Sequence, residues 1–115
     1  MANVLQAIRA DFEPLRSLAY TSMTSSYVAI GTPFDHPAHI IWVQNTTNVQ
    51  LIFSNDGIND KFTLPANGYV VLDVTGNQAA YSGFFLPTDT LLWVKAVGTP
   101  TSGSAYVTVI YGDTI

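Results

Sequence analysis

The chain has 115 residues, of which 48% are hydrophobic and only 10% are charged, with a formal net charge of −4. One domain with a genuine core is expected at this length; the absence of cysteine excludes a disulfide framework and a thiolate zinc site; and the scattered basic residues Arg9, Arg16, Lys61 and Lys95 exclude the clustered cations that nucleic acid binding needs. Soluble proteins carry about 25% charged residues, and charges keep surfaces from sticking to neighbours, so the shortage predicts a surface partly covered by other subunits.

Residues 1–14 differ from the rest. Val4, Leu5, Ile8 and Phe12 recur at helical spacing, Asn3 and Gln6 fit a capping box, and Pro14 closes the segment. The pattern predicts a short amphipathic helix or a docking arm, set apart from a β-domain over 15–115. About ten helical residues are marginal alone, so the apolar face must pack on its own domain or on a neighbour. The start of the chain lacks the basic region and long apolar run of a signal peptide. No apolar stretch approaches the roughly 18 residues of a membrane span. The chain reads as soluble, uncleaved and without a membrane partner.

From residue 15 onward the pattern is strand after strand. Strands are predicted over 15–23, 27–30, 38–44, 49–53, 61–64, 69–74, 83–86, 91–97 and 105–111. Turn signals separate them: Asn45-Thr46-Thr47-Asn48, Ser54-Asn55-Asp56-Gly57 with its Asp-Gly pair, Pro65-Ala66-Asn67-Gly68, and the Gly- and Ser-rich loop 98–104. Short strands with turns every 8–12 residues predict an all-β antiparallel sandwich, jelly-roll-like. Within 91–97, Leu92, Val94 and Ala96 share one face, and Leu91, Trp93, Lys95 and Val97 the other. Within 69–74, Val70, Leu72 and Val74 oppose Tyr69, Val71 and Asp73. A half-solvated antiparallel strand alternates apolar with polar residues, and these strands largely do not. A two-sheet sandwich cannot cover its own outer faces, so a partner chain is the favoured cover.

Candidate chemistry is sparse. His36 and His39 lie three apart, but Pro37 sits between them at a strand start, so the rings are expected to diverge into structural or solvent-facing positions rather than hold a metal. The run Asp56-Gly57-Ile58-Asn59-Asp60 lacks the glycine position and the closing glutamate of a calcium loop and reads as a turn. Glu13 is the one glutamate, and no paired carboxylates, nucleophile elbow or phosphate loop is present. The expectation is a non-enzymatic protein without cofactor, metal or catalytic residues. Trp42, Trp93, six Tyr and six Phe read first as core, then as interface, then as a sugar-stacking platform.

Across nearly its full length the chain resembles the small virion structural proteins of short-tailed bacteriophages. The resemblance is carried by Val4-Leu5-Gln6-Ala7-Ile8-Arg9-Ala10-Asp11-Phe12-Glu13-Pro14-Leu15-Arg16-Ser17-Leu18 and Thr24-Ser25-Ser26-Tyr27-Val28-Ala29-Ile30-Gly31. It continues through Gln44-Asn45-Thr46-Thr47, Leu64-Pro65-Ala66-Asn67-Gly68 and Gly98-Thr99-Pro100-Thr101-Ser102-Gly103-Ser104-Ala105-Tyr106-Val107-Thr108-Val109-Ile110-Tyr111-Gly112. It implies a particle component on a jelly-roll-like sandwich, made in the host cytoplasm and localised to the virion. The expected role is an assembly subunit of the tail or neck, as connector or fibre-supporting adaptor, touching copies of itself and other virion proteins. A capsid decoration or cement protein is the first alternative. A carbohydrate-binding module for host recognition is the second, and it fails if Trp42 and Trp93 are both core residues. Partner contacts are expected at Val4, Leu5, Ile8 and Phe12. Deleting residues 1–14 is then expected to leave a folded domain that no longer joins its assembly, read by circular dichroism and by incorporation into particles.

Overall fold

The computed structural model describes residues 8–73 and 86–114 of the chain. Nine strands form among these residues: β1 (Ile8–Phe12), β2 (Arg16–Ala19), β3 (Val28–Ala29), β4 (Ala38–Asn45), β5 (Gln50–Ser54), β6 (Phe62–Leu64), β7 (Tyr69–Asp73), β8 (Trp93–Val97) and β9 (Ser104–Thr114). Every pairing is antiparallel. One sheet has the order β1-β9-β4-β7, with β2 also paired to β9, and the other has the order β3-β8-β5-β6. Consecutive strands therefore cross between sheets at nearly every connection. This is the nested Greek-key wiring of a jelly roll, as the spacing of strands and turns led one to expect. The strand expected over 83–86 lies outside the described residues except at Leu86, which makes an isolated bridge to Ala38.

The short N-terminal helix is not present over the described part of its range. Ile8–Phe12 is a strand, in register with β9 from Ile8 opposite Thr114 to Phe12 opposite Ile110. The reason is the length of β9. Its 11 residues outrun β2, and the open remainder offers main-chain hydrogen bonds to whatever extended segment reaches it. A one-sided helix of a few turns has no comparable anchor. β1 and β2 run along the same neighbour. Between Phe12 and Arg16 the outer chain holds one more residue than β9 does between Ile110 and Val107, which makes a bulge at Pro14, a residue with no N–H to give the ladder. The Glu13 N–H still reaches the Val109 carbonyl, at 3.1 Å.

Alternation decides what is inside. Ile41 and Val43 of β4, Leu51 and Phe53 of β5, Val94 and Ala96 of β8, and Ala105, Val107 and Val109 of β9 point inward and are buried. They join Ile30, Phe34, Leu64 and Leu92 in one core cluster between the sheets. The faces assigned to residues 91–97 and 69–73 are the observed ones: Leu92, Val94 and Ala96 are buried, and Tyr69, Val71 and Asp73 are exposed, while Val74 lies outside the described residues.

One end of the sandwich is closed by a buried amide. The Asn45 Nδ2 donates to the carbonyls of Val49, Leu64 and Pro65 at 2.9, 3.3 and 2.9 Å. Its Oδ1 accepts the N–H and the hydroxyl of Thr47. A turn expected from composition is thus a core element, with Asn45 and Thr47 nearly inaccessible. Beside it Gly103, at φ +89°, packs so closely that a Cβ would stand 2.2 Å from the Thr46 carbonyl oxygen.

Asn45→Ala is expected to leave those carbonyls without a donor and to lower unfolding stability by roughly 2–4 kcal/mol, measured by urea denaturation. Gly103→Ala is expected to prevent the 98–103 loop from closing over Thr46, seen as a fall in melting temperature.

Candidate interaction surface

The outer face of the β1-β9-β4-β7 sheet can be laid out from register and alternation. One row crosses it as Phe12, Ile110, Ile40 and Asp73. The middle row is Thr108, Trp42 and Val71. The third is Ser17, Tyr106, Gln44 and Tyr69. Phe12 is 63% exposed, Trp42 41%, Tyr69 66% and Val71 51%. The Trp42 and Tyr69 rings meet edge to face, with centroids 6.2 Å apart and planes at 69°. Asp73 is the one charged side chain that alternation places on this face among the described residues. Beyond the first row, where Ala10 faces Gly112, small residues open a shallow recess of about 350 Å³ between Arg9, His39, Ile40 and Tyr111.

The other sheet is different. Its outer side carries Gln50, Ile52, Thr63 and Lys95, paired strand to strand, and loop 54–60 folds back over Trp93. At Gly57 (φ +74°) a Cβ would come within 3.1 Å of that indole. The loop is an Asx turn: the Asp56 carboxylate accepts the Ser54 hydroxyl, the N–H groups of Ile58 and Asn59, and the Asn59 amide. Those bonds, Ser54 first, hold its carboxyl far below the usual range. Asp60 accepts from the Tyr27 phenol and pairs with Lys95 at 3.0 Å, while the Lys95 ammonium lies over the Tyr27 ring. Burial, then the Asp60 bond, pushes the Tyr27 hydroxyl up to about 12. These residues satisfy one another, and the loop is a turn.

One further titratable cluster sits where β1 meets β2. Glu13 and Arg16, both buried, pair at 2.9 Å, and the His36 Nδ1 stands 2.6 Å from the other Glu13 oxygen. Arg16 donates through Nε to the Thr32 carbonyl and through Nη2 to that of Pro33, with its guanidinium over Phe34. The His36 ring stacks flat on Tyr111 at 3.7 Å. For Glu13, burial alone would raise the pKa; His36, the Asp35 N–H and Arg16 together outweigh it and leave the carboxyl lowered. Arg16, through the Thr32 and Pro33 carbonyls, and Glu13, through His36, tie the β1–β2 bulge to loop 31–37, so the arrangement is a clasp. The partner of His36 is thus Glu13, 23 residues away, and His39 lies at the β4 bulge between Ala38 and Ile40. Among the described residues no three His, Cys, Asp or Glu side chains come together to hold a metal.

Two of the four predicted contact residues fall among the described residues. Val4 and Leu5 lie outside the described residues. Ile8 is the first residue of β1, and Phe12 is on the exposed sheet face. Residues that spacing did not single out as contacts, Trp42, Tyr69 and Val71, share that face. The period-2 pattern over 69–74 was the available signal for two of them. Neither tryptophan is a core residue: Trp42 faces outward, and Trp93 is half-buried under its loop.

No protein-family model matches the chain, and no curated protein matches it in sequence. One solved structure is similar in shape, a chain from Bacillus endospore appendages described as a novel family of disulfide-linked pili. It has 13% sequence identity and a TM-score of 0.45, and the match covers 96% of this chain and 93% of that one. A likeness so distant carries no functional inference.

Arg16→Met is expected to strand the Glu13 carboxylate in the interior and cost about 3–5 kcal/mol, measured by chemical denaturation. Deleting residues 1–14 removes β1 and Glu13 and leaves the buried Arg16 guanidinium without its carboxylate, so a loss of stability is expected there too. Because the Glu13 pKa is depressed on folding, its contribution is complete above the ordinary value of 4.5 and is lost as acid carries the pH down through the lowered one. Thermal melts between pH 7 and pH 3 are expected to show that decline, and to show less of it in Glu13→Gln.

Proposed function

We propose that this protein is a non-enzymatic structural subunit of a tailed-phage virion, placed in the tail or neck as a connector or fibre-supporting adaptor. It acts by adhesion through the outer face of the β1-β9-β4-β7 sheet. The observation that carries the reading is that face: an exposed Phe, Trp, Tyr and Val within three rows that hold a single carboxylate. Monomeric soluble proteins rarely leave an apolar patch of more than a few hundred Å² open, and larger ones mark interaction sites. The tail or neck placement rests on the sequence resemblance alone.

Sheet-face adhesion also fits the scarcity of charge. A partner docked there desolvates rings, methyl groups, Thr108 and Gln44 but hardly any ions, so the penalty of burying charge stays small. Apolar burial contributes about 25 cal/mol per Å² before the cost of association. A particle that repeats the contact turns weak pairs into a durable assembly through avidity.

A sugar-binding reading draws on the exposed Trp42 and Tyr69. Their planes stand at 69°, so the pair does not make one flat platform for a pyranose, and only the Trp42 or the Tyr69 face alone could stack. A glycan array decides it: binding that Trp42→Ala abolishes would favour the module over the subunit.

The protein is expected in purified virions, at a fixed low copy number for a tail or neck part and at a number matching the capsid lattice for a cement protein, measured by quantitative gel densitometry. Its absence from purified particles would refute the reading.

A further inference from the structure

We propose that β1 is exchanged between two copies of this chain. Each copy's β1 leaves its own β9 and pairs, in the register it has here, with the β9 of the other copy, about a two-fold axis parallel to the strands. The inference goes beyond the sheet-face reading above and does not rest on that face.

The first argument is what holds β1 in place. Arg9, Ala10, Asp11 and Phe12 are all exposed, and none of them joins the core cluster. The strand is held chiefly by its main-chain ladder to β9, with the Asp11 carboxylate accepting from the Tyr111 hydroxyl at 3.4 Å. A second copy offers the same ladder and the same phenol, so exchange replaces each contact in kind and needs no new apolar area. Swapping an identical element between protomers is for this reason a low-cost route to dimers. On its other side β9 is flanked by β4 only as far as Ala38 opposite Tyr111. Beyond that point residues 8–10 and 112–114 form, among the described residues, a two-stranded ribbon, which by itself is marginal in water. Exchange lays the two β1 strands side by side between the two β9 strands and makes the ribbon four strands wide.

The second argument is the bulge at Pro14. From Phe12 to Arg16 the outer chain takes four steps where β9 takes three, from Ile110 to Val107. Three steps of strand cover about 10 Å, and a sideways move by one strand spacing, about 4.8 Å, lengthens the path to about 11 Å. Four extended residues reach about 13 Å and three only about 10 Å, so the surplus residue is what lets the chain cross to the neighbouring β9. The same residue turns the strand over. A two-fold axis along the strands points the outer faces of the two copies in opposite directions, so an arriving β1 must present its other side. In the structure the bulge leaves Phe12 exposed on the outer face while Arg16, four residues on, is buried. Once the bulge straightens, regular alternation carries Phe12 to the opposite side, which is the outer side of the other copy. Glu13 of one copy then meets Arg16 and His36 of the other, the contacts it makes here at 2.9 and 2.6 Å. Pro14 and Leu15, which change course, are both exposed, and Pro14 has no N–H to lose.

The chain contains no cysteine, so Ala10→Cys and Gly112→Cys, which stand opposite each other in the register, report the pairing. Both are placed in one full chain, which is made in isotopically light and heavy forms, refolded as a mixture and oxidised at micromolar to submillimolar concentration. A disulfide joins only Cα atoms within about 7 Å, so it forms between adjacent strands and not across a strand in between. A companion variant of the otherwise native chain lacks Leu15; it has no surplus residue, and β1 and β2 then follow β9 without a bulge in the closed form. Circular dichroism checks that it is folded. The expected result is a wild-type dimer in sedimentation velocity at submillimolar concentration, light-to-heavy disulfides between positions 10 and 112 in mass spectra of the linked peptides, and a monomer for the Leu15 deletion. A wild type that stays monomeric throughout would overturn the proposal. So would a dimer whose disulfides all lie within single chains, which is edge contact without exchange, or a folded Leu15 deletion that dimerises like wild type. If the deletion does not fold, the isotope pattern alone decides. Recovery of the protein in purified virions is a separate readout, so failure of the exchange and failure of the assembly reading are told apart.

Discussion

Strand β9 is the element on which the rest depends. It is the longest strand described, and β1, β2 and β4 all pair with it. Its inward residues Ala105, Val107 and Val109 form the floor of the core, and its outward residues Tyr106, Thr108 and Ile110 form the middle of the exposed face. A side-chain period of two means that a slip by one residue would exchange these sets. Burying the three small inward residues against Phe53, Val94 and Ile41 therefore sets the outer rows as well. Exposed rings at the surface are the geometric consequence of a register chosen by the core.

The polar interior serves the same ladder. Asn45 ends β4 and ties it to Val49, ahead of β5, and to Leu64 and Pro65 at the end of β6, in the opposite sheet. Glu13 and Arg16 do the equivalent work at the other edge, where the Pro14 bulge interrupts pairing with β9. In both places a chain break leaves main-chain groups in need of partners, and a side chain supplies them. Among the described residues, the buried charges of Glu13 and Arg16 are used for closure. The surface loop of Ser54 to Asn59 satisfies itself in the same manner.

Much of the architecture was legible in the residues. Alternation over 69–74 and 91–97 assigned both faces of β7 and β8, and the spacing of turns announced a sandwich. The helical spacing of Val4, Leu5, Ile8 and Phe12 misled, because periodicity in a short segment reports which residues could share a face, not which partner is present. The open end of β9 made Ile8 to Phe12 a strand. Trp42 misled in the opposite sense: in the run Ile40-Ile41-Trp42-Val43, four apolar neighbours give no alternation from which to choose the inward pair.

What the sequence alone determined is the class and the economy of the protein: an antiparallel jelly-roll-like domain, poor in charge, with apolar residues on both faces of its strands. Those properties follow from local pattern, which each strand carries within itself. The tertiary structure decided which apolar residues stay outside. Exposure is a property of what lies above a sheet, and residues far apart in sequence, Phe12, Trp42, Val71 and Ile110, become one surface only when β1, β4, β7 and β9 are laid side by side. The pairing of His36 with Glu13 was out of reach for the same reason, since no spacing rule links two side chains that meet only because a bulge and a loop are folded against each other.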